Sequence, residues 1–450
     1  MSELTVPQTS TELPGPEALA LVRRSEQAVS PSLPRAYPLA VKRGRGVMVE
    51  DLDGNHYLDC AAGIAVCSTG HCHPRVVQAI QEQAGQLLHI CGADFYDPLY
   101  IALAERLGNL APGDDPKRVF LANSGAEAVE AALKLARHHT GRPRVLAFFG
   151  AFHGRTMGAV SLTASKPVYH GGFGPLVPGI AHVPYAYCYR CVYNLTYPQC
   201  NLACVDYIES TLFARTFPAD EVAAIFVEPV QGEGGYVVPP PSWLSRLRAL
   251  CDRYGILLIA DEVQSGIGRT GKMFAIEHWG VEPDIICSAK ALGSGMPVSA
   301  MIARDGIMNW PAGAHGSTFG GNPVCCAAGL ATLDVIEEER LMENATRVGE
   351  RLLGNLRELA HESRLIGDVR GLGLMIGVEM VKDKETKSMA KEEANEVVLE
   401  CFRRGLLLLP CGPNSIRFSP PLVITESQAD AAFEIFAQSL AEVEGGRRIR

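Results

Sequence analysis

The chain has 450 residues, of which 47% are hydrophobic and 20% are charged, and this length is enough for two domains of a globular protein. Its formal net charge of −9 argues against nucleic acid or an anionic membrane as its main partner. No apolar run approaches the ~20 residues that a membrane helix needs, and the opening "MSELTVPQTS" has no secretory-signal pattern, so we expect a cytoplasmic protein.

Residues 1–75 are predicted to form an N-terminal arm and a segment of a small domain. The opening is polar and contains prolines, which is typical of a loosely held arm. Further on, "AVKRGRGVMVEDLDGNHYLDC" places an Asp-Gly pair between two strand-like stretches, and such a pair favours a tight turn. We therefore predict a small antiparallel hairpin over residues 40–60.

Residues 76–340 are predicted to form a large domain. From about residue 117, apolar runs such as "RVFLANS", "AAIFVEPV", "ILLIADEV" and "DIICSAK" alternate with helical patterns. Short apolar runs indicate buried strands, and intervening helices imply an α/β fold with a mostly parallel sheet. Sites in such sheets lie beyond the carboxyl ends of the strands, where this pattern places Ser124, Glu228, Asp261 and Lys290.

Residues 341–450 are predicted to form a C-terminal segment of mixed helices and strands. A long helical pattern begins at about residue 341, and "DVRGLGLMIGVEMV" and "SIRFSPPLVI" follow it as strand-like stretches. Together with the N-terminal segment, these residues would form a smaller α+β domain.

Asp261 and Lys290 end successive predicted strands and would therefore face one crevice. A pyridine-type cofactor needs both groups, because a carboxylate keeps its ring nitrogen protonated and an amine forms a Schiff base with its aldehyde. At Ser124, Gly125 and Ala126 a strand meets a helix whose N–H groups favour an anion such as phosphate. An ordinary helix cap would have similar residues.

Five motifs, "GAFHGRTMG", "EPVQGEGG", "ADEVQSGIGRTG", "SAKALGSGMP" and "HGSTFGGNPV", occur in an order and spacing that resemble class III aminotransferases. The resemblance covers about residues 35–440. It implies fold type I, pyridoxal 5′-phosphate as cofactor, and a homodimer or a dimer of dimers. The chain most resembles 4-aminobutyrate aminotransferases, with ornithine and acetylornithine aminotransferases next.

The resemblance also implies roles for individual residues. Lys290 would hold the cofactor and transfer the substrate proton, Asp261 would pair with the ring nitrogen, and Glu228 would contact the substrate or Gln264. The phosphate would be bound at Gly125 and Ala126 and, across a dimer interface, by Thr318. Val263 would pack against one face of the cofactor ring, Phe152 would stack on the other, and Gln264 would reach the phenolic oxygen. Ser124 and His153 would be further cofactor-site residues, His153 in a structural role.

Four positions bear on the substrate through the same resemblance. Arg417 would bind the α-carboxylate of 2-oxoglutarate, which suits a planar guanidinium, and Glu233 would neutralise Arg417 when the substrate has no α-carboxylate. Arg155 would bind the distal carboxylate. Ile64 stands where 4-aminobutyrate enzymes have isoleucine and ornithine enzymes have tyrosine, so it favours 4-aminobutyrate modestly.

A cluster of four cysteines stands apart from the cysteines that lie singly in apolar stretches. Cys188, Cys191, Cys200 and Cys204 have the spacing C-x2-C-x8-C-x3-C. Such thiols suit a tetrahedral zinc site or an iron–sulfur cluster with a structural or redox role. Free or buried thiols in an insertion are the other interpretation.

The sequence therefore predicts a transaminase that moves the ω-amino group of 4-aminobutyrate or a similar ω-amino acid to 2-oxoglutarate. The products would be the semialdehyde and glutamate. Ornithine or acetylornithine aminotransferase is one alternative, and an amino-acid racemase or epimerase of the same fold is another. A non-enzymatic cysteine-cluster module is a third, which the intact set of Lys290, Asp261, Gln264 and Thr318 disfavours.

Overall fold

A computed structural model of the protein describes residues 6–9 and 13–446. The chain folds into two compact units. The larger unit comprises residues 75–342, and the smaller unit comprises residues 1–74 together with 343–450. Residues 1–5 and 10–12 of the predicted N-terminal arm, and residues 447–450 of the predicted C-terminal domain, lie outside the described residues.

Helices and strands alternate through most of the described chain. The α-helices are, in chain order, α1 (Pro16–Ala28), α2 (Ala62–Ala65), α3 (Pro74–Ala84), α4 (Pro98–Leu110), α5 (Gly125–Thr140), α6 (Met157–Leu162), α7 (Ala203–Tyr207), α8 (Trp243–Tyr254), α9 (Pro323–Glu338), α10 (Leu341–Glu362), α11 (Lys391–Arg403) and α12 (Glu426–Glu444). The strands are β1 (Val41–Arg45), β2 (Met48–Asp51), β3 (His56–Asp59), β4 (Lys117–Ala122), β5 (Arg144–Phe148), β6 (Ile180–Val183), β7 (Val222–Val227), β8 (Leu257–Asp261), β9 (Ile285–Ser288), β10 (Ser299–Arg304), β11 (Ile366–Leu372), β12 (Met375–Asp383), β13 (Ser388–Met389), β14 (Leu406–Leu407), β15 (Leu409–Cys411) and β16 (Ser415–Phe418). Among the described helices, none combines the length and the apolar character needed to cross a membrane.

The larger unit is built on a sheet with the strand order β4-β10-β9-β8-β7-β5-β6. Neighbouring strands are parallel from β9 to β6, whereas β10 is antiparallel to both β9 and β4. All residues of β7 and β8 are buried, as expected for strands with both faces covered. The predicted α/β fold with a mostly parallel sheet is confirmed, and β6 and β10 are additional strands that we did not predict.

Helix α5 packs against β9 and β10 of this sheet. Its buried face is rich in alanine, which lets the helix backbone lie close to the strands: Ala128, Ala131, Ala132 and Ala136 are fully buried. The helix begins with a capping box at Ser124 and ends at Gly141, whose φ of 67° suits a residue without a side chain. The capping box therefore fixes the end of α5 that follows β4, and Gly141 ends the helix at the other side.

The smaller unit contains one sheet with the order β1-β2-β3-β14 and another with the order β11-β12-β16-β15. Strands β2 and β3 form the predicted antiparallel hairpin, and Gly54 in its turn has a φ of 86°. Strand β14 of the C-terminal segment pairs with β3 of the N-terminal segment. The two segments therefore share a sheet, as the predicted smaller α+β domain requires.

Candidate active site

The carboxyl ends of the parallel strands carry several of the predicted site residues of the larger unit. Asp261 is the last residue of β8, and Lys290 follows the end of β9 by two residues. The strand register pairs Asp261 with Cys287, so the carboxylate and the lysine follow adjacent strands at one edge of the sheet. Glu228 comes directly after β7 at the same edge.

Lys290 has an uncommon backbone conformation. Its φ is 45°, in the left-handed region, where a residue with a Cβ is disfavoured by about 1–3 kcal/mol. A short 3-10 turn, Lys290–Leu292, follows, and it leads into Gly293, where an added Cβ would lie only 2.1 Å from the Met296 carbonyl oxygen. A tightly packed turn therefore fixes the direction of this half-buried lysine, and strain of this kind is concentrated at functional sites.

The Asp261 carboxylate is held by two donors. His153 Nδ1 donates to its Oδ2 at 2.6 Å, and the Val263 N–H donates to its Oδ1 at 3.0 Å. His153 is itself fully buried, and its backbone N–H donates to Thr163 Oγ1 at 2.9 Å. Burial works to lower the pKa of His153, but the hydrogen bond and charge of Asp261 and the charge of Glu228 raise it overall. His153 therefore orients the carboxylate at the end of β8.

Glu228 is a buried carboxyl group beside this pair. Burial raises its pKa to about 7 and the charge of Asp261 adds to the rise, whereas the charge of His153 and two backbone hydrogen bonds oppose it. These hydrogen bonds come from the N–H groups of Phe152, at 3.1 Å, and Gly232, at 3.0 Å. Glu228 thus joins the loop after β5 to the loop after β7 and changes charge near neutral pH.

We expect the Glu228→Gln protein to lose less stability than the wild type as the pH rises from about 5 to about 8. The pKa of Glu228 is raised from 4.5 to about 7 on folding, so the folded protein holds an extra proton between these values. Its free energy of unfolding therefore falls as pH rises through that window, by up to about 1.4 kcal/mol per pH unit for one group. Urea unfolding at several pH values measures this slope.

The control for this experiment is Glu338→Gln, because the pKa of this exposed carboxyl is lowered by Arg75 rather than raised. The control should keep the wild-type slope between about pH 5 and about pH 8. Equal slopes in Glu228→Gln and the wild type would show that Glu228 does not titrate in this range.

The N-terminus of α5 presents donors for an anion next to the loop after β8. Ser124 Oγ accepts from the N–H of Glu127 at 3.3 Å, and Glu127 Oε2 accepts from the N–H of Ser124 at 3.2 Å. This reciprocal cap leaves the first-turn N–H groups of Gly125 and Ala126 as donors for a ligand. A Cβ at Gly125 would lie 2.7 Å from Val263 Cγ1, so the glycine allows a close approach there.

The residues at this edge fit pyridoxal 5′-phosphate. The buried Oε1 of Gln264 has no hydrogen-bond partner within the described residues, and it is a polar group that a ligand would satisfy. A phosphate suits the N-terminus of α5, a ring nitrogen suits the oriented carboxylate of Asp261, and an aldehyde suits the amine of Lys290. The half-buried aromatic ring of Phe152 is of a type that suits stacking on the cofactor ring.

Three of the predicted cofactor and substrate residues of the larger unit are exposed: Ser124, Arg155 and Thr318. The guanidinium carbon of Arg155 lies 5.0 Å from the centroid of the Phe152 ring and 5.2 Å from that of the Tyr169 ring. Cation–π contacts of this kind hold a guanidinium in place without neutralising its charge.

Lys166 and Tyr169, which we did not predict, lie beside the predicted substrate residue Glu233. Lys166 Nζ lies 2.5 Å from Oε1 of Glu233, and the Tyr169 hydroxyl lies 3.5 Å from the same oxygen. Neither residue stands in one of the motifs on which the resemblance is based, so the sequence contained no local signal for them.

The predicted substrate residues Ile64 and Arg417 belong to the smaller unit. Ile64 is 42% exposed and has a φ of 68°, which is rare for a β-branched residue. Arg417 is buried in β16 and pairs in register with Gly377 of β12. Their roles in substrate binding stay predictions.

The metal site predicted at the four-cysteine loop is not supported. Cys188, Cys191, Cys200 and Cys204 do line one cavity of the larger unit. Within the part of the chain that the structure describes, however, no group of three or more His, Cys, Asp or Glu side chains is arranged to hold a metal ion. The spacing brings the thiols to one cavity without the convergence that zinc or an iron–sulfur cluster requires, so the interpretation as free thiols is the better one.

Comparison with protein families and characterised sequences identifies close relatives. The family model described as aminotransferase class-III matches residues 30–440. The chain is 43% identical to the 5-aminovalerate aminotransferase DavT of Pseudomonas aeruginosa, over 94% of this chain and 98% of that protein. It is 42% identical to a 4-aminobutyrate aminotransferase of Mycobacterium tuberculosis, over 96% and 98%. It is also 40% identical to an alanine/serine racemase of Pyrococcus horikoshii, over 98% and 94%.

Solved structures show the same fold. An (S)-enantioselective omega-transaminase from Thermomicrobium roseum superimposes with a TM-score of 0.88 at 36% sequence identity. The match covers 95% of this chain and 99% of that one. The predicted fold type I architecture is therefore confirmed.

Proposed function

Because this chain belongs to the class III aminotransferases, we propose that it transfers the ω-amino group of 4-aminobutyrate, or of an ω-amino acid of similar length, to 2-oxoglutarate. The products are the ω-semialdehyde and glutamate. The observation that supports this most strongly is the oriented Asp261 carboxylate at the end of β8, with Lys290 in a fixed turn after the adjacent strand β9. The named activities of the relatives from Pseudomonas aeruginosa and Mycobacterium tuberculosis support the substrate class.

Pyridoxal 5′-phosphate supplies, when bound, an aldehyde that captures amines and a ring that accepts an electron pair. Lys290 would hold the aldehyde carbon and would remove and return the proton of the substrate carbon that bears the amino group. Asp261, oriented by His153, would keep the proton on the ring nitrogen. The N–H groups of Gly125 and Ala126 would hold the phosphate.

The substrate would be recognised through its carboxylates. Arg155 in the larger unit carries an exposed guanidinium that would bind the distal carboxylate of an ω-amino acid. Arg417 is proposed to bind the α-carboxylate of the acceptor, and Ile64 would favour 4-aminobutyrate because it offers no hydroxyl to an ornithine α-amino group. Both assignments rest on the sequence resemblance.

We also propose that the enzyme is a homodimer. Several large apolar side chains of the larger unit are exposed, including Leu88, Tyr96 and Phe319, which is 62% exposed. Phe319 contacts the His89 ring at a centroid distance of 5.0 Å, so two separate segments contribute to this surface. A second copy would cover it, and its Thr318 would complete the phosphate site.

A donor panel tests the proposed reaction. The purified holoenzyme is incubated with 2-oxoglutarate and, in separate reactions, 4-aminobutyrate, 5-aminovalerate, ornithine or acetylornithine, and glutamate release is measured. We expect the two ω-amino monocarboxylates to give the highest kcat/KM. A preference for ornithine or acetylornithine by more than about tenfold would contradict the substrate assignment.

The racemase relative makes a second reaction worth testing. A racemase uses the same lysine and aspartate but needs no amino acceptor. The holoenzyme is therefore incubated with single L-amino acids, including alanine and serine, without any keto acid, and the products are separated by chiral chromatography. Catalytic formation of the D-enantiomer at a rate above that of glutamate release would favour the racemase.

A further inference from the structure

Glu233 has a well-defined place in the larger unit because glycines flank it. A Cβ at Gly232 would lie 2.8 Å from Gln264 Nε2, and a Cβ at Gly234 would lie 2.6 Å from the Gly150 carbonyl oxygen. The loop after β7 therefore packs closely against the loops after β5 and β8. This packing sets the position from which the Glu233 side chain extends.

The Glu233 carboxylate forms an ion pair with Lys166. The distance from Lys166 Nζ to Glu233 Oε1 is 2.5 Å, and the two side chains are 38% and 15% exposed. The segment that leads to Lys166 is held in place by backbone hydrogen bonds. The N–H of Gly150 donates to the carbonyl oxygen of Ala164, and the N–H of Ala164 donates to the carbonyl oxygen of Ala151. The pair thus joins two loops that are both anchored at the edge of the sheet.

Tyr169 connects this ion pair to the proposed cofactor and substrate residues. Its hydroxyl lies 3.5 Å from Glu233, and its ring packs edge-on against Phe152 at 5.3 Å. The guanidinium of Arg155 lies over the same ring. Burial raises the pKa of Tyr169, and the charge of Glu233 adds to the rise, while Lys166 and Arg155 oppose it. The three charged groups therefore surround one aromatic side chain.

We propose that Lys166 is a positioning residue that neutralises Glu233 and so allows this site to accept a dicarboxylate. The inference rests on the proposed function and deepens it. The acceptor 2-oxoglutarate carries two negative charges, whereas 4-aminobutyrate carries one of each sign. An unbalanced Glu233 carboxylate would repel the acceptor more than the donor.

The expected effect of Lys166→Met is selective. The KM for 2-oxoglutarate should rise about fivefold, a size typical of a partly exposed ion pair, while the KM for 4-aminobutyrate changes less than about twofold. The kcat should stay within about twofold of the wild type, because Lys166 transfers no proton. Lys166→Arg keeps the cation and should restore the wild-type KM.

A double-mutant cycle tests whether Lys166 acts through Glu233. Steady-state kinetics with both substrates are measured for the wild type, Lys166→Met, Glu233→Gln and the double variant, with Lys272→Met as an exposed-lysine control. If the proposal is right, Lys166→Met has almost no effect on the KM for 2-oxoglutarate in the Glu233→Gln background. Melting temperature and cofactor absorbance show whether each variant is folded and loaded.

Two results would overturn the inference. A KM increase that persists in the Glu233→Gln background would mean that Lys166 binds the substrate directly. An equal change in both KM values with a lowered melting temperature would mean that the pair is only structural. Neither result would contradict the proposed function, as long as the wild type releases glutamate from 2-oxoglutarate. A wild type that releases no glutamate would refute the proposed function itself.

Discussion

The Lys290→Ala protein is expected to lose turnover by about 10⁴-fold or more with every amino donor, while it folds normally and binds the cofactor without a covalent bond. The lysine would serve as both the covalent anchor and the proton-transfer group, and proton transfer alone contributes about 10²–10⁴-fold. Lys290 lies two residues after the end of β9, and no other lysine of the described residues lies as close after the end of β8 or β9. Substrate-bound cofactor would therefore have no group to move its proton.

Borohydride reduction followed by peptide mass spectrometry provides a readout that does not depend on turnover. In the wild type, the reduced cofactor should be found on Lys290, and in Lys290→Ala it should be found on no lysine. Lys272→Ala, which removes an exposed lysine of the same unit, is the matched control and should behave like the wild type. Near-normal turnover in Lys290→Ala, or labelling of another lysine in the wild type, would refute the assignment.

The Asp261→Asn protein is expected to lose about 10³-fold or more in kcat, which corresponds to ~4 kcal/mol of transition-state stabilisation. An amide cannot hold the ring nitrogen protonated, so the ring would accept the electron pair of the substrate carbon less well. The amide also has one oxygen where the carboxylate has two, and both carboxylate oxygens accept hydrogen bonds, from His153 and from Val263. One of these contacts would be lost.

Single-turnover absorbance with excess amino donor measures this loss on the chemical step. Asp284→Asn is the matched control, because Asp284 is also a buried aspartate beside β9 but pairs with Arg248 and Arg304. The control should lower the melting temperature without a comparable loss of kcat. A mild effect of Asp261→Asn on the chemical step would mean that Asp261 only caps the end of β8.

The strands that support the site could be predicted because they are buried on both faces. Residues 222–227 and 257–261 consist almost entirely of apolar residues, and each run stops where the chain reaches the edge of the sheet. The apolar runs therefore predict Glu228, Asp261 and Lys290 at strand ends from the sequence alone.

Two strands were missed for reasons that are local. Strand β6 has four residues, three of them only partly buried, so its apolar run is too short to stand out. Strand β10 begins at a serine and follows "GSGMP", a sequence typical of a loop, and it enters the sheet antiparallel to its neighbours. Its place depends on pairing with β4 and β9 rather than on its own pattern.

Contacts between residues that are far apart in the sequence could not be predicted from the spacing of the motifs. His153 lies 108 residues from Asp261, and Lys166 lies 67 residues from Glu233. Only the folded sheet brings these pairs within hydrogen-bond distance, because Asp261 ends β8 and the other three residues lie on loops. The cysteine cluster shows that closeness in sequence does not by itself predict a site. Its four thiols line one cavity, yet they form no metal site among the described residues.

The proposed reaction moves an amino group from an ω-amino acid to 2-oxoglutarate. The most direct test follows ¹⁵N from the amino group of labelled 4-aminobutyrate, incubated with the holoenzyme and unlabelled 2-oxoglutarate. We predict that ¹⁵N-glutamate and the semialdehyde form in equal amounts, and that neither forms with Lys290→Ala. Failure of the label to reach glutamate, while a D-amino acid accumulates from its L-enantiomer under the same conditions, would contradict the proposed function.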